Sequence, residues 1–148
     1  MPLRFEKVTE SNKAAVLSLR LHSFQKGYTE SIEESLEEAG KHPEWQPCAV
    51  YHGEELVGFT MYGYFAEDSE LWIDTIVIDR FYQGKGYGRK LLEQLLELLA
   101  ERYLRKPVYL SVFSDNHSAI YLYQNLGFQF NGRLDTKGEQ IMVYTFED

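Results

Sequence analysis

Residues Gln83 to Arg89 read Gln-Gly-Lys-Gly-Tyr-Gly-Arg, and the glycines at 84, 86 and 88 lie between a strand-like apolar run and an amphipathic helix. Glycine lets a backbone turn tightly and lets a ligand approach closely. The amides of the first helical turn have no intrahelical acceptor, and the macrodipole there favours an anion. Strand, glycine turn and helix N-terminus together predict a phosphate cradle. It is not a Walker loop, because no Ser or Thr follows Gly84-Lys85, and it does not follow the first strand of a dinucleotide-binding βαβ repeat. Lys85, Arg89 and Lys90 add positive charge beside it. A second chemical group, Asp74, interrupts the apolar run Leu71 to Ile78. Asp is disfavoured in strands, and burying an unpaired carboxylate is costly. It is therefore hydrogen-bonded, at a cleft or protonated, or else a strand-edge Asp facing water, with strict alternation placing Trp72, Asp74 and Ile76 on one face. A third feature is the set Glu30, Glu33, Glu34, Glu37 and Glu38, with no basic residue between positions 30 and 38. It reads as the polar face of a helix, as a carboxylate wall for a polycation, or as both. Tyr28, Trp45 and Trp72 are aromatic faces on which ammonium groups could rest.

The elements that must position these groups follow from periodicity and punctuation. Leu3 to Val8 reads as a strand and Ser11 to Ser23 as a helix. Ser31 to Ala39 reads as a second helix, with Ser31 and Glu34 forming a capping box and Gly40 as the stop. Cys48 to His52 and Leu56 to Tyr64 form a hairpin about Gly53. Leu71 to Ile78 is the next strand, and a helix from about Arg89 to Arg102 carries a leucine face. Val108 to Val112 is a short strand and Ser118 to Asn125 a short helix closed by Gly127. Gln129 to Leu134 and Gln140 to Phe146 make a last hairpin about Thr136, Lys137 and Gly138. This order predicts an α/β sheet with helices on both faces, in one domain spanning residues 1–148.

Composition narrows the function. Apolar content is 44% and aromatic content 15%, ordinary for a globular chain. No run is long enough to span a membrane, and the N-terminus lacks the basic-then-apolar pattern of a secretory signal. One cysteine, Cys48, excludes an internal disulfide, and the His and Cys spacing fits no metal site. A net charge of -8 argues against nucleic acid and favours a small cationic partner.

Two motifs in order carry a resemblance. Gln83-x-x-Gly86-x-Gly88 resembles the Gln/Arg-x-x-Gly-x-Gly/Ala signature of GNAT-type N-acetyltransferases. Asn116-x-x-Ala119-Ile120-x-Leu122-Tyr123-x-x-Leu126-Gly127-Phe128 resembles that family's later helix and strand. The likeness covers essentially the whole chain. Within the family, Tyr82 to Gly86, Leu122 to Gly132 and the Glu-rich segment after Tyr28 look most like bacterial spermine/spermidine (diamine) N-acetyltransferases.

The resemblance implies a mixed, mostly antiparallel seven-stranded sheet whose two central strands splay apart to form a cofactor groove. It implies acetyl-coenzyme A as cosubstrate and no metal. Gln83, Gly84, Lys85, Gly86, Tyr87, Gly88 and Arg89 would take the pyrophosphate. The backbone of Ile76, Val77 and Ile78 would take the pantetheine arm, helped by Asn116 and Tyr123. It makes Tyr123 the acid for the departing thiolate, with Tyr121 as a decoy on another face of the helix. Asn116 also has the type and place of a helix cap. Asp74 falls where related polyamine enzymes carry a glutamate that accepts the amine proton, and its shorter side chain favours a bridging water. A primary amine of pKa about 10.4 must lose a proton before it can attack, at a cost of about 4 to 5 kcal/mol at pH 7. Tyr28, Glu30, Glu33 and Asp74 would hold the acceptor. The expected activity is acetyl transfer to a primary amine of spermidine or spermine by direct attack in a ternary complex, in the cytoplasm. The partner is a small amine, and a homodimer is left open. The alternatives are another acceptor (a peptide N-terminus, an aminoglycoside or an amino acid) or a non-catalytic acyl-coenzyme A binder. Having both Asp74 and Tyr123 argues against the binder.

Overall fold

The computed structural model describes residues 2–20 and 31–147. The elements are β1 (Leu3–Lys7), α1 (Lys13–Leu17), α2 (Ile32–Lys41), β2 (Trp45–His52), β3 (Glu55–Phe65), β4 (Glu70–Ile78), α3 (Tyr87–Arg102), β5 (Val108–Val112), α4 (His117–Leu126), β6 (Gln129–Leu134) and β7 (Gln140–Tyr144). The strands form a seven-stranded sheet in the order β1-β2-β3-β4-β5-β7-β6. Every neighbouring pair is antiparallel except β4 and β5, which are parallel and joined through α3. The expected mixed sheet is therefore present.

Each face of the sheet carries its own core. On one, Leu91, Leu92, Leu95, Leu96 and Leu99 of α3 pack with Leu71, Ile73, Val108, Leu110 and Val112, and α4 adds Ile120, Tyr123 and Leu126. The leucines follow a helical stripe and each is 0–5% exposed. Burying each contributes roughly 1.5–3 kcal/mol, so α3 is held by its packing more than by its propensity. On the other face, Val16 of α1 and Ile32 of α2 pack on Ala49, Phe59, Met61 and Val77.

Several element boundaries differ from the periodicity reading, and α2 runs through the expected stop at Gly40 to Lys41, where the His42 amide still donates to the Glu38 carbonyl. The first helix is described only to Leu17, whereas the pattern ran to Ser23, whose last residues lie outside the described ones. Ser18 ends it: its hydroxyl donates back to the Ala15 carbonyl at 2.6 Å, and the chain is then held at Arg20, whose amide donates to Asp79 at 2.8 Å. Strand β2 starts at Trp45, three residues before the expected Cys48, despite Pro47. The Pro47 carbonyl accepts from Val8 at 3.1 Å, on the side where β1 has already ended, so the missing N–H removes no ladder bond to β3. Helix α3 starts at Tyr87 inside the glycine loop, and β7 stops at Tyr144.

The most consequential departure lies in β4. Its pairing with β3 passes from Tyr62↔Ile73 directly to Met61↔Thr75, leaving Asp74 without a partner. Asp74 is thus the extra residue of a β-bulge, and the bulge shifts the side-chain alternation by one. Leu71 and Ile73 face the α3 core before it, Ile76 and Ile78 face the same core after it, and Val77 enters the other core. Strict alternation of Trp72, Asp74 and Ile76 does not hold.

Candidate active site

Strands β4 and β5 pair only at Leu71↔Val108 and Trp72↔Tyr109. Beyond that point they separate, and a cavity of about 550 Å³ opens between them. Its walls include Asp74 and Ile76 on β4, Ser111 on β5, Asn116 and Tyr123 on α4, and the turn between β6 and β7. Ile76 to Ile78 keep their pairing with β3, so their remaining backbone groups face the gap. Trp45 and Trp72 both reach the cavity wall.

Helix α4 is fixed at both ends, which fixes Tyr123. Asn116 caps the start, its Oδ1 accepting from the Ala119 amide at 3.4 Å, and it also lines the cavity. Gly127 ends the helix in a left-handed conformation at φ 115°, and the Phe128 amide donates to the Tyr123 carbonyl at 3.0 Å. The Tyr123 ring packs on Phe128 at 5.8 Å. Its hydroxyl makes no hydrogen bond among the described residues, and burial pushes its pKa up to about 12. It is a phenol held protonated on a cavity wall. Tyr121 is 73% exposed and points away, as expected of the decoy.

Asp74 is exposed to the cavity, and a short relay orients it. The Thr75 hydroxyl donates to Asp74 Oδ2 at 2.7 Å, and the Ser35 hydroxyl lies 3.1 Å from that of Thr75. Thr75 has one hydroxyl proton and gives it to Asp74, so Ser35 must be the donor in the second contact. Asp74 is tied in this way to α2. Its second oxygen is unbonded among the described residues.

The glycine loop sits beyond one end of the cavity and touches it at Gly88 alone. Gly84 and Gly86 have φ values of 76° and 83°, which disfavour any residue with a side chain. Gly86 is the N-cap of α3, and the first helical bond runs from the Lys90 amide to Gly86 at 3.1 Å. The amides of Tyr87, Gly88 and Arg89 therefore lack intrahelical acceptors and suit an anion. A Cβ at 84, 86 or 88 would meet nothing within 4 Å, so the space beside these glycines is open. Several side chains of the loop are engaged elsewhere. The Gln83 amide donates to the Ile78 carbonyl at 3.0 Å, tying the loop to the end of β4. The Tyr87 hydroxyl meets His52 Nδ1 at 3.0 Å, and Arg89 pairs with Glu93 at 3.6 Å. Lys85 stays exposed, its ammonium 6.0 Å from the Tyr82 ring.

Of the acceptor candidates, Tyr28 and Glu30 lie outside the described residues. Glu33 is exposed on α2 and does not line the cavity; its neighbour Glu34 does. Glu34 is also the partner of Ser31 in the capping box, which holds its carboxyl below its usual range. Sequence reasoning missed two carboxyls, Asp135 and Glu139, which flank the β6–β7 turn and line the cavity. Asp135 Oδ1 accepts from the amides of Lys137 and Glu139 at 2.9 and 2.8 Å. Burial acts to raise Asp135, but hydrogen bonds from Glu139, Lys137 and Ser111 outweigh it and hold the carboxyl low. Glu139 is pushed up to about 7 by burial first, then by its hydrogen bond to Asp135 and that group's charge. The signal was present: two carboxyls bracketing a recognised three-residue turn must stand opposite each other.

Comparison with known proteins converges with this geometry. Residues 13–128 match the model of the acetyltransferase (GNAT) family. The chain is 45% identical over 149 aligned residues to the spermine/spermidine N(1)-acetyltransferase of Bacillus subtilis, covering 97% of this chain and 98% of that one. Over a shorter stretch of 59 residues, 40% of the chain, it is 41% identical to the ribosomal protein bS18-alanine N-acetyltransferase of Escherichia coli. Among solved structures, AAC(6')-Ib in complex with ribostamycin and coenzyme A superposes with a TM-score of 0.80 at 19% identity, over 98% of this chain and 94% of that one. The spermidine N-acetyltransferase of Vibrio cholerae in complex with coenzyme A and spermine superposes with a TM-score of 0.71 at 21% identity, over 95% and 92%. With the family model spanning residues 13–128 and a relative 45% identical over 97% of the chain, the chain belongs to the GNAT acetyltransferase family.

Proposed function

We propose that this enzyme transfers the acetyl group of acetyl-coenzyme A to a primary amine of a polyamine such as spermidine or spermine, by direct attack in a ternary complex. The observation that carries the reading is one cavity that joins an unbonded phenol, Tyr123, to a wall of carboxyls that includes Asp74, Glu34, Asp135 and Glu139. The relative at 45% identity acts, by its name, on spermine and spermidine.

The residues present fit the cosubstrate. The loop Gln83 to Arg89 offers left-handed glycines, open space and unbonded helix amides to a pyrophosphate. The edge of β4 at Ile76, Val77 and Ile78, with Asn116 opposite, offers backbone groups to an extended amide-bearing arm. Bound there, acetyl-coenzyme A supplies the thioester carbon that the amine attacks.

The chain's own contribution is proton management. Asp74, oriented by Thr75 and Ser35, accepts the proton that the ammonium must lose, directly or through one water. Tyr123 keeps its proton at neutral pH and donates it to the leaving sulfur. The burial that raises the phenol also disfavours a thiolate beside it, so the leaving sulfur and its donor shift in the same direction. Glu33, exposed on α2, acts only on the approach of a cation. The same reading places one N-acetyltransferase domain over residues 1–148 in the cytoplasm. Among the described residues no helix is long and apolar enough to cross a membrane.

Thiol release measured with spermine, spermidine, propylamine, an aminoglycoside and a peptide N-terminus tests the assignment. We expect kcat/KM to be highest for the polyamines and to fall as salt screens the carboxyls. Equal values for propylamine and spermine would remove the polyamine assignment while leaving the acetyltransferase.

A further inference from the structure

The pair formed by Asp135 and Glu139 has no part in the chemistry described above. A carboxyl–carboxyl hydrogen bond requires one proton between the two groups. Asp135 is the ionised member, since two backbone amides and the Ser111 hydroxyl bond to it, so Glu139 is the donor. The pair is built rigidly: the Asp135 amide donates to the Glu139 carbonyl at 2.9 Å, closing the turn that carries both. The cavity independently marks a ligand site, because the strands have parted there and the desolvated Tyr123 hydroxyl on its wall has no partner among the described residues.

We propose that the Asp135–Glu139 pair docks a second, non-reacting ammonium group of the polyamine, and that this ammonium replaces the proton the two carboxyls share. The inference rests on the polyamine reading and names the residues that select for it. On binding, the Glu139 proton leaves to solvent and the ammonium keeps its own three protons. No bond between heavy atoms changes. The pair carries one negative charge with its proton, and one net negative charge with the ammonium in place, so the exchange balances. The surroundings favour it. From β4 the charge of Asp74 acts on Glu139, Glu34 of α2 and Tyr123 of α4 share the cavity wall, β5 contributes the uncharged Ser111, and Lys137 of the same turn is the one cation on that wall among the described residues. Among the described residues, four cavity carboxyls, Glu34, Asp74, Asp135 and Glu139, thus share the wall with one lysine. Burial and the neighbouring Asp135 raise the Glu139 carboxyl to about 7, so an arriving ammonium displaces a weakly held proton.

The test compares the full chain with Glu139→Gln and Asp135→Asn, with acetyl-coenzyme A saturating. Glu139→Gln retains shape and can still donate to Asp135, but has no proton to give up. We expect its spermidine KM to rise about 10- to 100-fold, the span of one charge-assisted hydrogen bond, with kcat within about threefold. The propylamine KM and the acetyl-coenzyme A KM should not move, which also attests the fold. In the wild type the spermidine KM, taken relative to that of propylamine, should fall as pH rises through 7 and should be flat in Glu139→Gln. Calorimetric titration of spermidine into coenzyme A-loaded enzyme, in two buffers of different ionisation heat, should report proton release in the wild type alone. An unchanged spermidine KM with unchanged proton release overturns the inference, and so does a fall in kcat at constant KM. If the wild type turns over spermidine and the variant behaves identically, the inference fails alone. If the wild type acetylates no polyamine, the inference and the reading beneath it fail together.

Discussion

Replacing Gly88 with alanine should push stability and cofactor binding in opposite directions. Gly88 is the second residue of α3, with helical backbone, and a Cβ there would meet nothing within 4 Å. Alanine therefore introduces no clash and no backbone strain. Glycine costs a helix about 0.5 to 1 kcal/mol relative to alanine, so the free enzyme should gain about that much. For a chain of this size the gain corresponds to a rise in Tm of about 1 to 4 °C. Yet Gly88 is the point where the glycine loop meets the cavity, and on the proposed placement a methyl there should hold a pyrophosphate off the amides of Tyr87 to Arg89. Losing one charge-assisted hydrogen bond costs about 1.5 to 3 kcal/mol, or roughly 10- to 150-fold in Kd for coenzyme A. Thermal unfolding of the free protein reads the first effect and isothermal titration with coenzyme A the second. Pantetheine, which has no pyrophosphate, should bind both forms alike. A higher Tm with an unchanged Kd would refute the placement of the pyrophosphate on this loop. Gly86 is the less clean site, because at φ 83° an alanine costs about 1 to 2 kcal/mol of backbone strain and lowers Tm as well.

Three further outcomes follow from the site. Tyr123→Phe should lower kcat by about 100- to 10,000-fold with the acetyl-coenzyme A KM nearly constant, while Tyr121→Phe, at a 73% exposed position, should be silent in the same steady-state assay. Asp74→Asn should be slow at pH 7 and partly recover as pH approaches the amine pKa of about 10.4, where free amine needs no base; a pH–rate profile parallel to wild type would leave Asp74 an orienting role only. Glu139 is raised from 4.5 to about 7 in the folded state, so the folded chain holds the extra proton and stability should fall as pH rises from 4.5 to 7. The half-exposed position discounts the effect to about 1 kcal/mol. Urea midpoints at pH 5 and pH 8 should differ in the wild type and converge in Glu139→Gln, and an equal slope in both would remove Glu139 as the cause.

The legibility of the sequence followed the range of each interaction. The leucine stripe of α3, the Ser31–Glu34 capping box and the Gly127 stop are local patterns, and all appear where periodicity and capping chemistry put them. The two motif segments gave Tyr123 its place on the cavity wall and Gly88 its contact with the cavity. Long-range partners were invisible. Nothing local says that Asp79 takes the Arg20 amide just beyond α1, or that Gln83 donates its side-chain amide to Ile78. The Asp135–Glu139 pair was missed because a turn was read as a connector rather than as a place where two side chains must face one another.

The bulge at Asp74 shows how much one unpaired residue can decide. Had β4 kept its register with β3, alternation would have placed Asp74 on the same face as Ile76, against a core of leucine and valine. There an ionised carboxylate would cost several kcal/mol or lose its charge. The extra residue instead leaves Asp74 outside the ladder and exposed to the cavity, while Leu71, Ile73, Ile76 and Ile78 all stay on the α3 side. The same shift brings Thr75 to the opposite face, where Ser35 of α2 can reach it and where its hydroxyl orients Asp74. Bulges increase local twist, and this one lies two residues past the last pair that β4 makes with β5. A single inserted position thus keeps the core apolar, aims the Asp74 carboxyl into the cavity and coincides with the parting of the strands that forms it. Deleting Asp74 should therefore leave the core faces as they are, because Ile73 and Thr75 already pair with the adjacent residues Tyr62 and Met61, and should remove only the bulge and the carboxyl it carries.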